Sequence, residues 1–347
     1  MDLPTALAEV TDAYSNQSGG NQSLEACSRE GALKTTVFPV LYTVLFILGS
    51  SLNGLAAWVF LRIPSKSHFI IYLKNIVVAD IIMTLTFPFK ILADANLATV
   101  GVRVFVCRVS SVLFYLTMYI SILFFGLISI DRCRKTIWPF VGTSRTRLLH
   151  RKILSAVIWT SLVALVLPNV ILTSRLKTSG RIKCSDLKTE LGLKWHEVVN
   201  HVCQVIFWGN LVTVIICYTL ISKELYKSYA RTRAQHEQKK NSIQANVFLV
   251  LAVFFVCFVP FHFARVPYTI SQTRGQMFNC QQKLFFFQLK ESTLWLSSLN
   301  SVLDPLIYFF LCKSFRTSLF NTLRLSPGRC RDLGTDSTSA PVDNTPI

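Results

Sequence analysis

Two cations and a histidine sit where cations and histidines are expensive. Residues 254–268 read Phe-Phe-Val-Cys-Phe-Val-Pro-Phe-His-Phe-Ala-Arg-Val-Pro-Tyr, nearly all apolar. At helical spacing Phe254, Phe258, His262 and Arg265 share one face. That face passes from aromatic to basic over roughly 16 Å. Pro260 removes one backbone hydrogen bond between the two halves and predicts a kink. A kinked apolar rod with a cation at one end can turn a binding event into a change of shape. The plainer alternative is an ordinary membrane helix with a snorkelling arginine. Lys290 is a second cation about one turn inside an apolar run. A third set is acidic: Asp80 and Asp304 fall deep within apolar runs, with Asn53, Ser121 and Asn300 at comparable depth. Two carboxylates and neutral oxygens could hold a sodium ion, or a proton and waters. A purely structural polar network is the competing explanation. His262 has no nucleophile at a reachable spacing, which argues against an intramembrane enzyme.

The elements that must position these residues are membrane helices. The 347 residues are 51% hydrophobic and 16% charged, with a mean hydropathy of +0.44. Soluble domains carry about 25% charge. Apolar runs long enough to cross a ~30 Å hydrocarbon core are expected at Val37–Leu61, Phe69–Leu92, Val104–Ile130, Ile153–Thr173, Val198–Ile221, Val247–Ile270 and Leu284–Leu311. The fold expected is an all-α seven-transmembrane bundle, with Asp304-Pro305 loosening the last helix. Four regions follow: an extracellular N-terminus over 1–36, the helical bundle over 37–311, a membrane-surface helix over 312–326 opening with Lys313-Ser314-Phe315-Arg316, and a disordered cytoplasmic tail over 327–347.

The net charge of +18 flanks the apolar spans and is read as a topology signal, not as a nucleic-acid surface. It places the N-terminus outside and the C-terminus inside, in a multi-pass protein of the plasma membrane. Sequons at Asn16 and Asn21 agree with an outer N-terminus. The outer side is nevertheless basic, through Arg103, Arg175, Lys177, Arg181, Lys183, Lys188, Lys194, Arg265, Arg274, Lys283 and Lys290. A basic vestibule attracts an anionic ligand, although a merely solvated loop explains most of the second outer loop. Cys27, Cys107, Cys184 and Cys280 lie outside, where disulfides form, and the residues alone leave three pairings open. Cys133 and Cys330 face the cytosol, the latter a candidate for palmitate. The terminal Thr345-Pro346-Ile347 fits a PDZ ligand. Thr335, Ser337, Thr338 and Ser339 are phosphorylation candidates by composition.

Asn53, Asp80, Asp131-Arg132, Trp159, Cys257-Phe258-Val259-Pro260 and Asp304-Pro305-Leu306-Ile307-Tyr308, in that order, resemble the rhodopsin-like G-protein-coupled receptors over residues 35–325. More narrowly, residues 69–75 (Phe-Ile-Ile-Tyr-Leu-Lys-Asn), 87–92 (Phe-Pro-Phe-Lys-Ile-Leu), 260–265 and 290–295 (Lys-Glu-Ser-Thr-Leu-Trp) resemble the purinoceptors for extracellular nucleotides. Within them they are nearest the inhibitory-G-protein branch and its ADP receptors of the platelet type. The resemblance implies an ADP receptor that acts through Gi to lower adenylyl cyclase activity. It implies disulfides Cys107–Cys184 and Cys27–Cys280. It implies phosphate contacts from Arg265 and Lys290, helped by Lys188 and Arg103, with Tyr268 and Gln272 nearby. Tyr115 would stack on adenine, with Asn169, His196, Asn200 and His262 around the base and ribose. Asp131, Arg132, Phe258, Pro260, Asp304, Pro305 and Tyr308 would form the switch. Asp80, Ser121, Asn300 and Asp304 would hold sodium, the one cofactor considered. Implied partners are Gi, arrestin, receptor kinases, a PDZ protein and a second copy of the chain.

Four positions depart from the pattern. Cys133 replaces tyrosine, Phe258 tryptophan, Asn210 a proline and Val166 a serine, the last leaving one ligand contact open. Alternatives carried forward are a receptor for a nucleotide sugar such as UDP-glucose, a receptor for an anionic lysolipid, and a transporter of small anions. Seven spans without repeats count against the transporter. Ser297 and Ser298 in mid-span seven count against a retinal-bearing receptor.

Overall fold

The computed structural model describes residues 31–65, 67–138, 145–174, 184, 187–231, 237–273 and 278–322. For residues 145–147, 225, 228–231, 237–248, 272–273, 311 and 322 it describes the backbone alone. Helix α1 covers Leu33–Arg62, α2 His68–Asp94 and α3 Val100–Ile137. They are followed by α4 Arg145–Ile171, α5 Glu190–Arg231 and α6 Glu237–Thr273. The seventh member of the bundle is α7 Cys280–Ser298 continued by α8 Asn300–Leu311, and α9 Lys313–Thr322 then turns away by 91°. Six of these helices are each long and apolar enough to cross a bilayer, and α7–α8 taken together with α9 gives a seventh. The protein is a seven-helix membrane bundle.

The helices start where side chains satisfy orphan amides. Ser67 accepts from the Ile70 amide at 3.3 Å, and Thr99 from the Val102 amide at 3.4 Å. Asn279 and Gln282 form a reciprocal capping box at the head of α7. Polar side chains then tie helices together inside the bundle. Trp159 Nε1 donates to Asn75 Oδ1 at 2.9 Å, joining α4 to α2. Asn210, which stands in place of a proline, donates from Nδ2 to the Ile122 carbonyl of α3 at 2.8 Å. Gly126 makes that possible, because a Cβ there would overlap the Asn210 amide.

The last span departs from the single helix expected over 284–311. Its break is at Leu299, one turn earlier than Asp304-Pro305. The Val302 amide donates to the Leu299 carbonyl at 3.0 Å, a tightened three-residue turn. Proline at 305 has no N–H for the Ser301 carbonyl one turn back. Asn53 Nδ2 takes that carbonyl instead, at 2.6 Å. α6 also carries a hydrogen bond from a neighbouring helix beside its proline. Pro260 loosens the turn before it, and there Ser297 Oγ of α7 donates to the Cys257 carbonyl at 2.7 Å. At Pro305 the freed carbonyl is itself taken up by a neighbouring helix, whereas near Pro260 the neighbouring helix anchors the carbonyl next to the freed one.

Candidate ligand site and switch

One end of the bundle is closed by a disulfide between Cys107 of α3 and Cys184, with Cα atoms 5.2 Å apart. Cys280 is also disulfide-bonded; Cys27, expected as its partner, lies outside the described residues, as do Asn16, Asn21 and the tail over 327–347. The bridge ties Cys184, in the connection before α5, to α3. Thr189 secures it by donating its amide to the Leu172 carbonyl at 3.0 Å. Leu187 and Lys188 are thereby buried. Burial lowers the Lys188 pKa to about 8, since a low-dielectric site disfavours the charged ammonium.

Arg265 is the central cation here. Only 9% of it is exposed. Its Nη2 donates to Asn200 Oδ1 of α5. Its guanidinium carbon lies 5.0 Å from the Tyr115 ring centre and 5.5 Å from that of Phe261. Those rings stack at 6.2 Å, giving the guanidinium an aromatic bed. Its Nη1 is buried with no hydrogen-bond partner. Among the described residues no carboxylate pairs with it. Asn169 of α4 is likewise buried with an unpartnered Oδ1. His196, one turn before Asn200 on α5, is half-buried.

Lys290 is in a different situation, which sequence reasoning missed. It pairs with the adjacent Glu291. Glu291 Oε2 also meets Lys90 Nζ of α2 at 3.1 Å, and Lys90 meets Asp94 at 2.9 Å. The four groups sum to zero charge, as buried charges require. Lys90 also lies 5.2 Å from the Tyr42 ring centre, and Lys290 5.1 Å from that of Tyr268. The signal was present in the chain: Lys90 and Asp94 are one helical turn apart, and Lys290 and Glu291 are neighbours inside an apolar run.

Two other expected contacts are differently placed. His262 is fully enclosed. Its ring stacks on Phe207 with centres 3.6 Å apart. Nδ1 is 2.8 Å from the Phe258 carbonyl and Nε2 is 3.0 Å from the Tyr119 hydroxyl. The carbonyl fixes Nδ1 as the protonated nitrogen, so Nε2 accepts from Tyr119. Both ring nitrogens are thus engaged inside the bundle, one with α3 and one with α6 itself. Arg103 donates to the Ala98 carbonyl at 3.2 Å and to Asn96 Oδ1 at 3.4 Å. It closes the α2–α3 turn, where Asn96 has φ 59°. The Gln272 side chain lies outside the described residues.

Below the floor is the polar centre. Asp80, Ser121, Asn300 and Asp304 are all fully buried. The Tyr308 hydroxyl donates to Asp80 Oδ2 at 3.1 Å. Asp80 Oδ1, Ser121 Oγ, both oxygens of Asp304 and both polar atoms of the Asn300 amide have no partner. Unpartnered buried oxygens are costly alone and suit a small cation or waters between them. Phe258 is enclosed against Phe254 and Phe125 at centre distances of 5.4 and 6.4 Å.

At the far end Asp131 is held by two groups, neither of them Arg132. His68 Nδ1 is 3.1 Å away and Lys135 Nζ 2.7 Å away. The Arg132 guanidinium packs over the Phe69 ring at 4.2 Å. Sequence reading did not find His68, whose partner is 63 positions distant.

Residues 52–308 match the profile of the 7 transmembrane receptor (rhodopsin family). The chain belongs to that family. It is a receptor rather than an enzyme. The receptor is 48% identical to purinoceptor 13 of Homo sapiens over 318 residues, covering 91% of this chain and 89% of the relative. It is 46% identical to purinoceptor 14 of Bos taurus over 301 residues, covering 86% and 89%. G-protein coupled receptor 87 of Mus musculus is 42% identical over 320 residues, covering 92% and 87%. The receptor therefore stands among the G-protein-coupled purinoceptors.

Proposed function

We propose that this receptor recognises an extracellular nucleotide, ADP first, and acts through inhibitory G proteins at the plasma membrane. Its N-terminus is outside and its C-terminus in the cytosol, as the basic inner loops favour. The observation that carries the reading is Arg265: a buried guanidinium on an aromatic bed, with no carboxylate partner and one nitrogen unoccupied among the described residues. A phosphate supplies the missing charge and the missing acceptors together, through charge-assisted hydrogen bonds worth about 1.5–3 kcal/mol each. Tyr115 offers a ring face for the base, and Asn169, His196 and Asn200 offer polar edges. Lys188 covers the site from the disulfide-tethered segment. Lys290 joins only when phosphate oxygens compete with Glu291.

Contraction around the phosphates draws α6 toward α7 above Pro260. The Ser297–Cys257 anchor makes α7 the fulcrum, and the half of α6 below the proline moves outward beside Arg132. The ligand shifts this equilibrium by its differential affinity for the two shapes. Asp80, Ser121, Asn300 and Asp304 are the residues that would hold sodium, whose charge would offset the two carboxylates there and oppose the change. A nucleotide sugar is the second reading, because Asp94 and Glu291 are acceptors suited to sugar hydroxyls.

The decisive experiment is nucleotide exchange on purified inhibitory G protein, catalysed by the reconstituted receptor with ADP, ATP or UDP-glucose. ADP should stimulate at the lowest concentration. Stimulation by none of the three would overturn the nucleotide reading, and preference for UDP-glucose would replace ADP.

A further inference from the structure

Two thiols meet where the inner halves of α3 and α5 pack together. Both helices run away from the disulfide-closed end, so their residues descend in step. Asn210 of α5 fills the space left by Gly126 of α3 and donates to the Ile122 carbonyl at 2.8 Å. Seven residues further along each helix stand Cys217 and Cys133. Seven residues are close to two turns, so the approach made at Gly126 is repeated on the same two faces roughly 10 Å lower. Tyr218 adds a second tie at this level, its hydroxyl hydrogen-bonded to Ser129 of α3. The Cys217 thiol is itself hydrogen-bonded to that of Cys133.

This pairing is particular to the two. Cys203 is hydrogen-bonded to Tyr119, and Cys312 to the backbone at Ser314 and Phe315. Cys257 is fully enclosed within the bundle. A free cysteine inside a helix bundle is ordinarily a small packing residue. Packing alone does not call for two sulfurs in contact, since Val214 and Ile221, about one turn to either side on α5, fill the same seam with hydrocarbon. Cys133 and Cys217 are each 7% exposed. That closes the site to bulky reagents and leaves it open to a molecule little larger than water.

We propose that Cys133 and Cys217 are a reversible redox pair, closed by an intracellular hydroperoxide to a disulfide that fastens α3 to α5 beside Arg132. With hydrogen peroxide, one sulfur attacks a peroxide oxygen, the O–O bond breaks, and a sulfenic acid and one water result. The second sulfur then displaces the sulfenic hydroxyl as a second water, and the S–S bond forms. The sulfur pair loses two electrons, and the peroxide takes them up. Contact favours the second step, because the resolving thiol is in place before the first is oxidised. Two molecules of glutathione reopen the bond and leave as their own disulfide. Transient disulfides of this kind are the ones that a reducing cytosol permits.

The bond would restrain the switch. Arg132 adjoins Cys133 in the chain and lies within electrostatic reach of Tyr218, the neighbour of Cys217. Fastening the two cysteines holds both flanking side chains in the resting arrangement and opposes separation of α3 from α5. The inference rests on the proposed function for the cytosolic placing of this end and for the direction of the effect on signalling.

The test treats the full-length receptor in nanodiscs with a small excess of hydrogen peroxide, blocks remaining thiols after unfolding, and maps the peptides by mass spectrometry. A peptide pair joined through Cys133 and Cys217 is expected, and reduced glutathione should release it. Cys133→Ser and Cys217→Ser should each remove the joined pair, whereas Cys312→Ser should leave it. Linking should also raise the melting temperature by several degrees, because the bond closes a long loop. Exchange on the G protein by the linked receptor should fall at least roughly fivefold, the lower end of ordinary coupling between sites. Thiols that stay reduced, sulfonic acids without a joined pair, Cys133 joined to Cys312 instead, or equal linking in receptor unfolded beforehand would each overturn the proposal. A linked receptor that signals as before would overturn the restraint on the switch. The joined peptides are read without ligand, so a receptor silent to nucleotides can still pass, and one that answers ADP can still fail.

Discussion

Arg265 and Lys290 lie at the same end of the bundle, each a buried cation against aromatic rings, yet their surroundings are opposite. Arg265 has an amide oxygen and two rings, and no carboxylate among the described residues. Lys290 shares Glu291 with Lys90, and Asp94 completes the balance. One pole is electrostatically incomplete and the other is neutral before any ligand arrives. The lesson is that a cation's depth in a helix does not measure its availability. A group already partnered must exchange one interaction for another, and only the difference contributes to affinity.

This contrast can be broken most directly at Arg265. Arg265→Ala should lower ADP potency roughly a hundredfold or more at normal surface expression, since two or more charged hydrogen bonds are lost. Potency within about threefold of the parent would remove Arg265 from the proposed site. Glu291→Gln sharpens the comparison from the other side. It leaves Lys90 and Lys290 with one acid between them, so melting temperature without ligand should fall, as for other broken buried pairs. Released Lys290 should then bind phosphate more strongly, and the ligand-induced rise in melting temperature should grow. A fall in both quantities would show that Glu291 orders the site rather than restraining Lys290. Lys290→Ala should cost less than Arg265→Ala, about tenfold in potency, because its contribution is a difference. An equal loss would erase the distinction between the two poles.

The smallest expected effect is in pH. Burial places the Lys188 pKa near 8, so its ammonium is intact at pH 7 and is lost as pH rises through 8. A bound phosphate is already ionised across that range, its second pKa being about 6. Potency should therefore decline a few-fold between pH 7 and 9 and not rise. Lys188→Arg should flatten the profile, because a guanidinium stays charged throughout. A slope that survives in the arginine variant would assign the titration to another group.

The bundle itself was legible in the chain, because apolar length and flanking charge report directly on membrane crossing. So was the anomaly of Arg265 and Lys290, each too deep for a loop. What could not be read was pairing. Lys90 with Glu291, and His68 with Asp131, depend on how helices distant in sequence rotate against one another. Periodicity fixes the face of each helix and not the angle between two. His262 shows the same limit: its spacing put it on the face of Arg265, but Phe207 and Tyr119 from other helices enclose it. The break at Leu299 was misplaced because Pro305 is visible in the sequence, whereas the Asn53 amide that claims the freed carbonyl comes from α1.

The fit between Gly126 and Asn210 carries an evolutionary consequence. The amide that replaces a ring at position 210 fills the space any larger residue at 126 would need. Substitutions at these two sites are therefore coupled. Alanine at 126 would push the Asn210 amide aside and strain its hydrogen bond to the Ile122 carbonyl, a penalty that a shorter residue at 210 would remove.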